Sequence, residues 1–499
     1  MMKKKCIISL PAGKRVFICV LSVLLTVCIL WLFLREQSSV TAYSADERGA
    51  LSAQMNSYTL SCVMHEEDGA LAVTQEILFQ NRTGDTLPDL VLRTYANAFA
   101  QEEHSPAAIE ELYEQTYGDA FSPGSISMQG VWWQGEIVPY AYLDQAQTQL
   151  RIDTGSIAPG DAGTLRIMYV LFVPECAYRF GRTEGLWQLG NAFPILSVWQ
   201  EGAWRTDEYY PIGDPFLSES ANWHVTLSLP DGYVPAASCE MQQDKNGLWT
   251  GDMLCARDFA LVLGKGYQVQ ERAFGDVRVR VLTQEQDGKK SLALCGNILD
   301  TLCGLYGKYP YDTLTVAQVK FPFGGMEYPG LVMIGDSYFS AEDDSLEMLL
   351  AHEIAHQWFY ALAGSDSFRN PWQDEALSQW AALRYVGVRY GADAEERLKY
   401  YYVDAPMQEK IPGSVTPGSP VSYFSDYMTY DSVVYGRGTA LLYAIDAFTA
   451  GRADEYLRSY VHQNPFGLYT RSDFEQALSS FAGADLAPLL TDYLDTLMD

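Results

Sequence analysis

Ala351-His352-Glu353-Ile354-Ala355-His356-Gln357-Trp358-Phe359 is followed by Trp372-Gln373-Asp374-Glu375-Ala376, with eighteen residues between His356 and Glu375. The chain has six histidines in 499 residues, and two of them stand here, four apart. On a helix, residues four apart lie one above the other on one face. Two imidazoles so placed can bind one zinc ion, with Glu353 between them as general base. Glu375, on a following helix, is placed to supply a third ligand. Three protein ligands leave the fourth zinc position open for water, which separates a catalytic site from a closed structural one. The competing reading is an amphipathic helix that carries two histidines by chance. The features below weigh against it.

A chain of this length is expected to form two or three domains. Its hydrophobic content of 48% suffices for sizeable cores, and 13% aromatic residues argue against disorder. The formal net charge is −29; residues 1–35 carry six positive charges and no acid, which leaves −35 on the remainder. So acidic a body repels nucleic acid, and no nucleic-acid partner is expected. The acidity is read as keeping an exported domain soluble.

Val16 to Leu34 is an uncharged run, VFICVLSVLLTVCILWLFL. At about 1.5 Å per residue it spans roughly 28 Å, close to the hydrocarbon thickness of a bilayer. Lys3, Lys4, Lys5, Lys14 and Arg15 precede it. The positive-inside rule then leaves residues 1–15 as a cytoplasmic tail and puts the body outside, a single-pass cell-membrane protein. The rival is a cleaved signal peptide, with Val40-Thr41-Ala42 as a small-residue cleavage site. Residues 35–53, polar and small, read as a linker.

Among nine cysteines there is no C-x-x-C pair, so neither a cysteine zinc site nor a thioredoxin-like centre is expected. Cys239 and Cys255 flank a turn at Asp244-Lys245-Asn246-Gly247, and either a disulfide or two buried thiols fits them. Cys295 and Cys303, eight apart on a predicted helix, are too far apart to bridge.

From about Tyr58 the pattern is one of short alternating runs: Leu71 to Phe79, Thr164 to Val173, His224 to Leu229, Phe259 to Leu263. Turn clusters such as Glu67-Asp68-Gly69 and Pro230-Asp231-Gly232 separate them, the signature of an all-β domain, taken as residues 54–270. Asn81-Arg82-Thr83 is a glycosylation sequon. Beyond residue 271 the pattern turns to α+β. Leu292 to Tyr306 reads as a helix, Thr313 to Val319 as a strand, and Leu331 to Gly335 as an edge strand. Asp343-Asp344-Ser345 can cap the histidine helix, which ends near Gly364. Asn370-Pro371 opens the helix of Glu375. Residues 403–430, rich in Pro, Gly, Ser and Tyr, read as a long loop of functional type, with helices resuming from about Ser432.

His352-Glu353-x-x-His356 and Glu375 together match the zinc signature of the gluzincin aminopeptidases. Gly324-Gly325-Met326-Glu327 lies upstream like that family's G-x-M-E-N motif, and Tyr435-Gly436-Arg437-Gly438 lies sixty residues beyond Glu375 like its Y-x-K-G element. Asp258-Phe259-Ala260-Leu261 is similar to part of its N-terminal domain. Over roughly residues 55–499 the chain resembles the aminopeptidase N (membrane alanyl aminopeptidase) family. The resemblance implies a thermolysin-like α+β catalytic domain over 271–499 with a helical C-terminal part. It implies one Zn2+ on His352, His356 and Glu375, with Glu353 as base and Tyr435 as hydrogen-bond donor to the oxyanion. It also implies that Glu327 pairs with the substrate's α-ammonium, while Gly324, Gly325 and Met326 bind the peptide, their backbone taking it as an added strand. The substrates would be peptides with a free N-terminus.

The departures from that pattern are specific. Tyr328 stands where the family has Asn, and Asp374 and Ala376 stand where it more often has Asn and Gly. Ala382 occupies the position of an acid that often orients a ligand histidine, which leaves that partner unidentified. Arg437, in place of Lys, is read as a surface charge. Two other functions keep the same residues: a zinc endopeptidase acting on cell-surface proteins, and a non-catalytic surface protein that binds peptides in the cleft. The intact Glu353 and ligand set count against the last.

Overall fold

Alternation of apolar and polar residues builds the first half of the molecule. Ser57–His65 buries every second side chain, as does Ala221–Ser228 beside it, the pattern of strands with one face on a core. In this computed structural model, which describes residues 39–497 except 111, 285–286, 342 and 411–414, those strands sit within an eight-stranded sheet. Ala70–Gln80, Ala162–Phe172 and Ser125–Trp133 extend it on one side and Leu248–Ala256 on the other. The neighbours are antiparallel except Ser57–His65 and Ala221–Ser228, which run parallel. Smaller sheets pack with it, one of them ordering Tyr233–Ala237, Leu261–Lys265, Leu186–Leu189 and Phe180–Thr183.

The expected tail 1–15 and apolar span 16–34 lie outside the described residues. Among the described residues no helix is long and apolar enough to cross a membrane. The expected linker is, from residue 40 onward, part of the packed fold. Val40 is buried, and Ala45–Ser52 is a helix with a Ser44/Glu47 capping box. Tyr43 N–H donates to the Tyr309 carbonyl at 3.0 Å, and Arg48 pairs with Asp312 at 2.6 Å. Its small, polar composition concealed the few residues, Val40, Ala42 and Tyr43, that anchor it.

The second half is organised by a five-stranded sheet in the order Gln268–Phe274, Val277–Thr283, Thr313–Val319, Leu331–Gly335, Gly325–Met326. All seven residues of Thr313–Val319 are buried, as suits a strand flanked by parallel neighbours and covered on both faces. Helix Lys289–Tyr306 makes the crossover between Val277–Thr283 and Thr313–Val319. The expectation for Leu331–Gly335 is corrected: it is interior, and the edge belongs to Gly325–Met326, paired antiparallel through Gly325 opposite Ile334 and Met326 opposite Met333. Leu331–Gly335 is buried throughout and pairs on both sides, whereas a two-residue strand containing glycine has too little pattern to be read as one.

Helix Ser345–His356 runs on as a π-helical turn, Gln357–Leu362, before helix Trp372–Tyr390. Trp358, Trp372 and Trp380 are fully buried about this pair and fix it in place. The expected long loop 403–430 holds short helical turns at Ala405–Gln408, Val421–Tyr423 and Tyr427–Tyr430. All six cysteines of the body are free and buried. Cys239 Sγ lies 3.8 Å from Met241 Sδ, and Cys255 Sγ donates to the Arg48 carbonyl. Asn81 is buried, its Nδ2 bonded to the carbonyls of Asp85 and Ile157, so the sequon offers no accessible amide in the folded chain.

Candidate active site

Two neighbouring helices supply three converging side chains. His352 and His356 face one way from Ser345–His356, as their spacing requires, and Glu375 comes from the first turn of Trp372–Tyr390. His352 Nε2 lies 3.0 Å from His356 Nε2, and Glu375 Oε2 lies 3.3 Å from each. A tetrahedral ion with bonds of about 2.0–2.1 Å holds its ligand atoms about 3.3 Å apart, so the donor set fits zinc without rearrangement. The three residues are buried.

Asp374, beside Glu375, orients the second histidine: its Oδ1 lies 2.5 Å from His356 Nδ1, and its Oδ2 accepts from Ser367 Oγ at 3.1 Å. That bond fixes the tautomer of His356 and leaves Nε2 as the ligand atom. Position 382 is a buried alanine, and Asp374 does this work in its stead. The sequence carried the signal as an acid where the family more often has Asn, but adjacency to the ligand did not say which histidine it would reach.

A second group of acids adjoins the first. Oxygens of Glu327 and Glu353 and a ring nitrogen of His356 lie within 4.8 Å of one another. Glu353 Oε2 is buried without a partner. Gly325, on the edge strand, runs so close to the Glu353 carboxyl that a Cβ there would overlap it. Met326 packs among Phe321, Leu331 and Met333 and so presents its main chain at the sheet edge. Tyr435 is partly exposed in a π-helical turn, Asp431–Arg437, its ring 5.6 Å from that of His352 and nearly parallel to it. Gly438 and Thr439 press that segment onto the Glu375 helix at Ala376. Arg437 is not a surface charge: it is buried, and its Nη2 donates to the Glu409 carbonyl at 2.6 Å.

Burial dominates the electrostatics. It pushes Glu353 up to about 8 against the pull of His356, with Glu375 and Asp214 adding to the rise. It raises Glu327 well above the carboxylate range in the same way, again with Asp214 and Glu353 adding. Against the cost of burial, hydrogen bonds to His352 and His356 hold Glu375 below its ordinary range. Burial, then the nearby Glu375 charge, raises Tyr435 and keeps its hydroxyl a donor. Asp214, ion-paired with buried Arg179, was not singled out by sequence. It arrives on a segment of the β-rich half clasped to the catalytic half, where Tyr427 OH donates to the Pro211 carbonyl at 2.6 Å and Tyr210 OH to that of Phe424 at 2.7 Å.

Comparison with known proteins agrees with this arrangement. Residues 301–493 match the Peptidase family M1 domain. The chain is 23% identical over 349 residues to aminopeptidase N of Oryctolagus cuniculus, a match covering 61% of this chain and 35% of that protein. It is 22% identical over 263 residues to a leucyl aminopeptidase of Saccharolobus solfataricus, covering 47% and 32%. The chain thus spans about a third of the length of these relatives. The crystal structure of an M1 zinc metallopeptidase from Deinococcus radiodurans superimposes with a TM-score of 0.65 at 16% identity, over 89% of this chain and 94% of that one. A mutant of that protein has been crystallised with a Tyr-Ser-Ala substrate. The matched domain, the aminopeptidase relatives and the shared fold make this chain similar to peptidase family M1, of the aminopeptidase N-like gluzincin type.

Proposed function

We propose that the chain is a membrane-anchored zinc aminopeptidase, carrying one Zn2+ and releasing N-terminal residues from peptides with a free amino end. The observation that carries this reading is the convergence of His352, His356 and Glu375 at 3.0–3.3 Å, with the carboxylates of Glu327 and Glu353 directly beside them. The aminopeptidase relatives and the Tyr-Ser-Ala complex of the neighbour support it. The apolar run Val16–Leu34 supports the anchor and an extracytoplasmic catalytic part. The acidic body supports the absence of a nucleic-acid partner.

His352, His356 and Glu375 would hold the ion, which supplies Lewis acidity toward a water and the scissile carbonyl. Glu353 takes a proton from the attacking water and passes it to the leaving amine. Burial raises the Glu353 carboxyl toward neutral pH, which brings taking up and giving back that proton closer to balance. Tyr435 OH donates to the carbonyl oxygen as it gains charge. Glu327, raised by burial among other acids, gains by pairing with an α-ammonium, which supplies the countercharge the cluster lacks. The edge strand Gly325–Met326 offers unpaired main-chain groups to an extended peptide, with Gly324 beside it.

The reading is tested by steady-state kinetics on alanyl and leucyl amides. Glu353→Gln is expected to lower kcat by about 10²–10⁴-fold, and Tyr435→Phe by about 10²–10³-fold. A Glu353→Gln chain as active as the parent would remove the assigned base.

A further inference from the structure

The two halves of the site lie on different elements. The metal ligands stand on helices, whereas Glu327 stands in the turn between Gly325–Met326 and Leu331–Gly335. Gln357, the residue after His356, is fully buried and joins them. Its Nε2 donates to the carbonyls of Tyr328 at 3.2 Å and Glu327 at 3.4 Å, and its Oε1 accepts the Gly330 N–H at 2.8 Å. One carboxamide thus holds three main-chain groups of the turn that carries Glu327.

The same turn is braced by a second set of bonds. Tyr328 is buried, and its hydroxyl donates to Asn191 Oδ1 at 2.7 Å. Asn191 Nδ2 donates to Asp258 Oδ2 at 2.8 Å, and Asp258 Oδ1 accepts the Phe259 N–H at 2.7 Å. Gly190 lies so near the Tyr328 hydroxyl that a Cβ there would overlap it. Asn191 and Asp258 belong to the β-rich half, so this chain of bonds ties that half to the residue next to Glu327.

We propose that Gln357 is a positioning residue that sets the height of the Glu327 carboxylate relative to the metal ligands, with Tyr328–Asn191–Asp258 bracing the same turn. The inference rests on the aminopeptidase reading. It explains how the site measures one residue from the amino end: the metal marks the scissile bond, Glu327 marks the ammonium, and Gln357 fixes the interval between them. Glu327 makes no side-chain hydrogen bond among the described residues, so its place depends on its main chain, and Gln357 grips that main chain. A misplacement of about 1 Å in such a site costs on the order of 100-fold. Tyr328, through its hydroxyl bond to Asn191, extends the turn's hold into the β-rich half.

The test uses the full zinc-loaded chain with Gln357→Met, which keeps length and loses all three bonds, and Tyr328→Phe, which loses one hydroxyl. Zinc content, thermal midpoint, kcat and KM on a leucyl amide are measured, with inhibition by free L-leucine and by N-acetylleucine. Gln357→Met is expected to raise KM about 5- to 20-fold with kcat lowered less than about 3-fold, and Tyr328→Phe to raise KM about 2- to 5-fold. Inhibition by L-leucine weakens in step, and that by N-acetylleucine does not. A lowered midpoint with KM unmoved in both variants assigns these residues to stability alone and overturns the inference. Should Gln357→Met fail to hold zinc, Tyr328→Phe decides. A parent inactive on the amide removes the aminopeptidase reading, and the inference falls with it; an active parent isolates the inference.

Discussion

Asp374 shows how one side chain completes what a motif begins. Its 2.5 Å contact with His356 Nδ1 fixes both the tautomer and the ring plane of a metal ligand, and Ser367 fixes Asp374 in turn. Removing it by Asp374→Ala is expected to lower zinc affinity or activity about 10- to 100-fold, the usual loss when such a partner is deleted. Zinc titration of the chelated chain measures it, and unchanged affinity and activity would show the contact to be idle. At this scale the side chains that converge in the cleft were legible. His352, Glu353, His356, Glu375 and Glu327 declared themselves through type and spacing, because ligands on one helix must recur at its period. Asp374, Gln357 and Asp214 did not, since their roles depend on which element packs opposite. Gln357 sits next to a ligand in sequence, yet its partners are 27 to 30 residues away.

Elements were legible wherever pattern was long. The expected runs Leu71 to Phe79 and Thr164 to Val173 correspond to the strands Ala70–Gln80 and Ala162–Phe172, most of whose length alternates in burial. The errors fall on short or compositionally quiet pieces. Gly325–Met326 takes the sheet edge, where a substrate strand could add, because the interior place belongs to Leu331–Gly335. The turns within 403–430 are too brief to rise above their Pro, Gly and Ser content. Segment 40–53 is held by Tyr43 and Arg48 rather than by any periodic face. The apolar run Val16–Leu34 is an element argued from sequence alone, and its prediction is direct. After cell fractionation and an alkaline carbonate wash, the full chain is expected to stay in the membrane pellet, held by an uncharged run of membrane-spanning length. Its release into the wash would exclude a spanning anchor.

For the whole molecule, the β-rich and catalytic halves act as one body around the cleft. The catalytic half brings the ligands, Glu353, Glu327 and Tyr435. The β-rich half brings Asp214, whose charge raises both Glu327 and Glu353, and Asn191 and Asp258, which brace the turn beside Glu327. On the proposed reading, a substrate's ammonium would enter this buried, acidic corner, where an uncharged acetylated end would have nothing to neutralise and Glu327 would gain no partner. We propose that this corner reads a free amino end while His352, His356 and Glu375 mark the next bond. It is tested most directly by following one decapeptide, in free and N-acetylated forms, by mass spectrometry with the zinc-loaded chain. Stepwise loss of single residues is expected from the free form and none from the acetylated form. Internal cuts, equal cleavage of both forms, or no cleavage by a chain with zinc bound would contradict it.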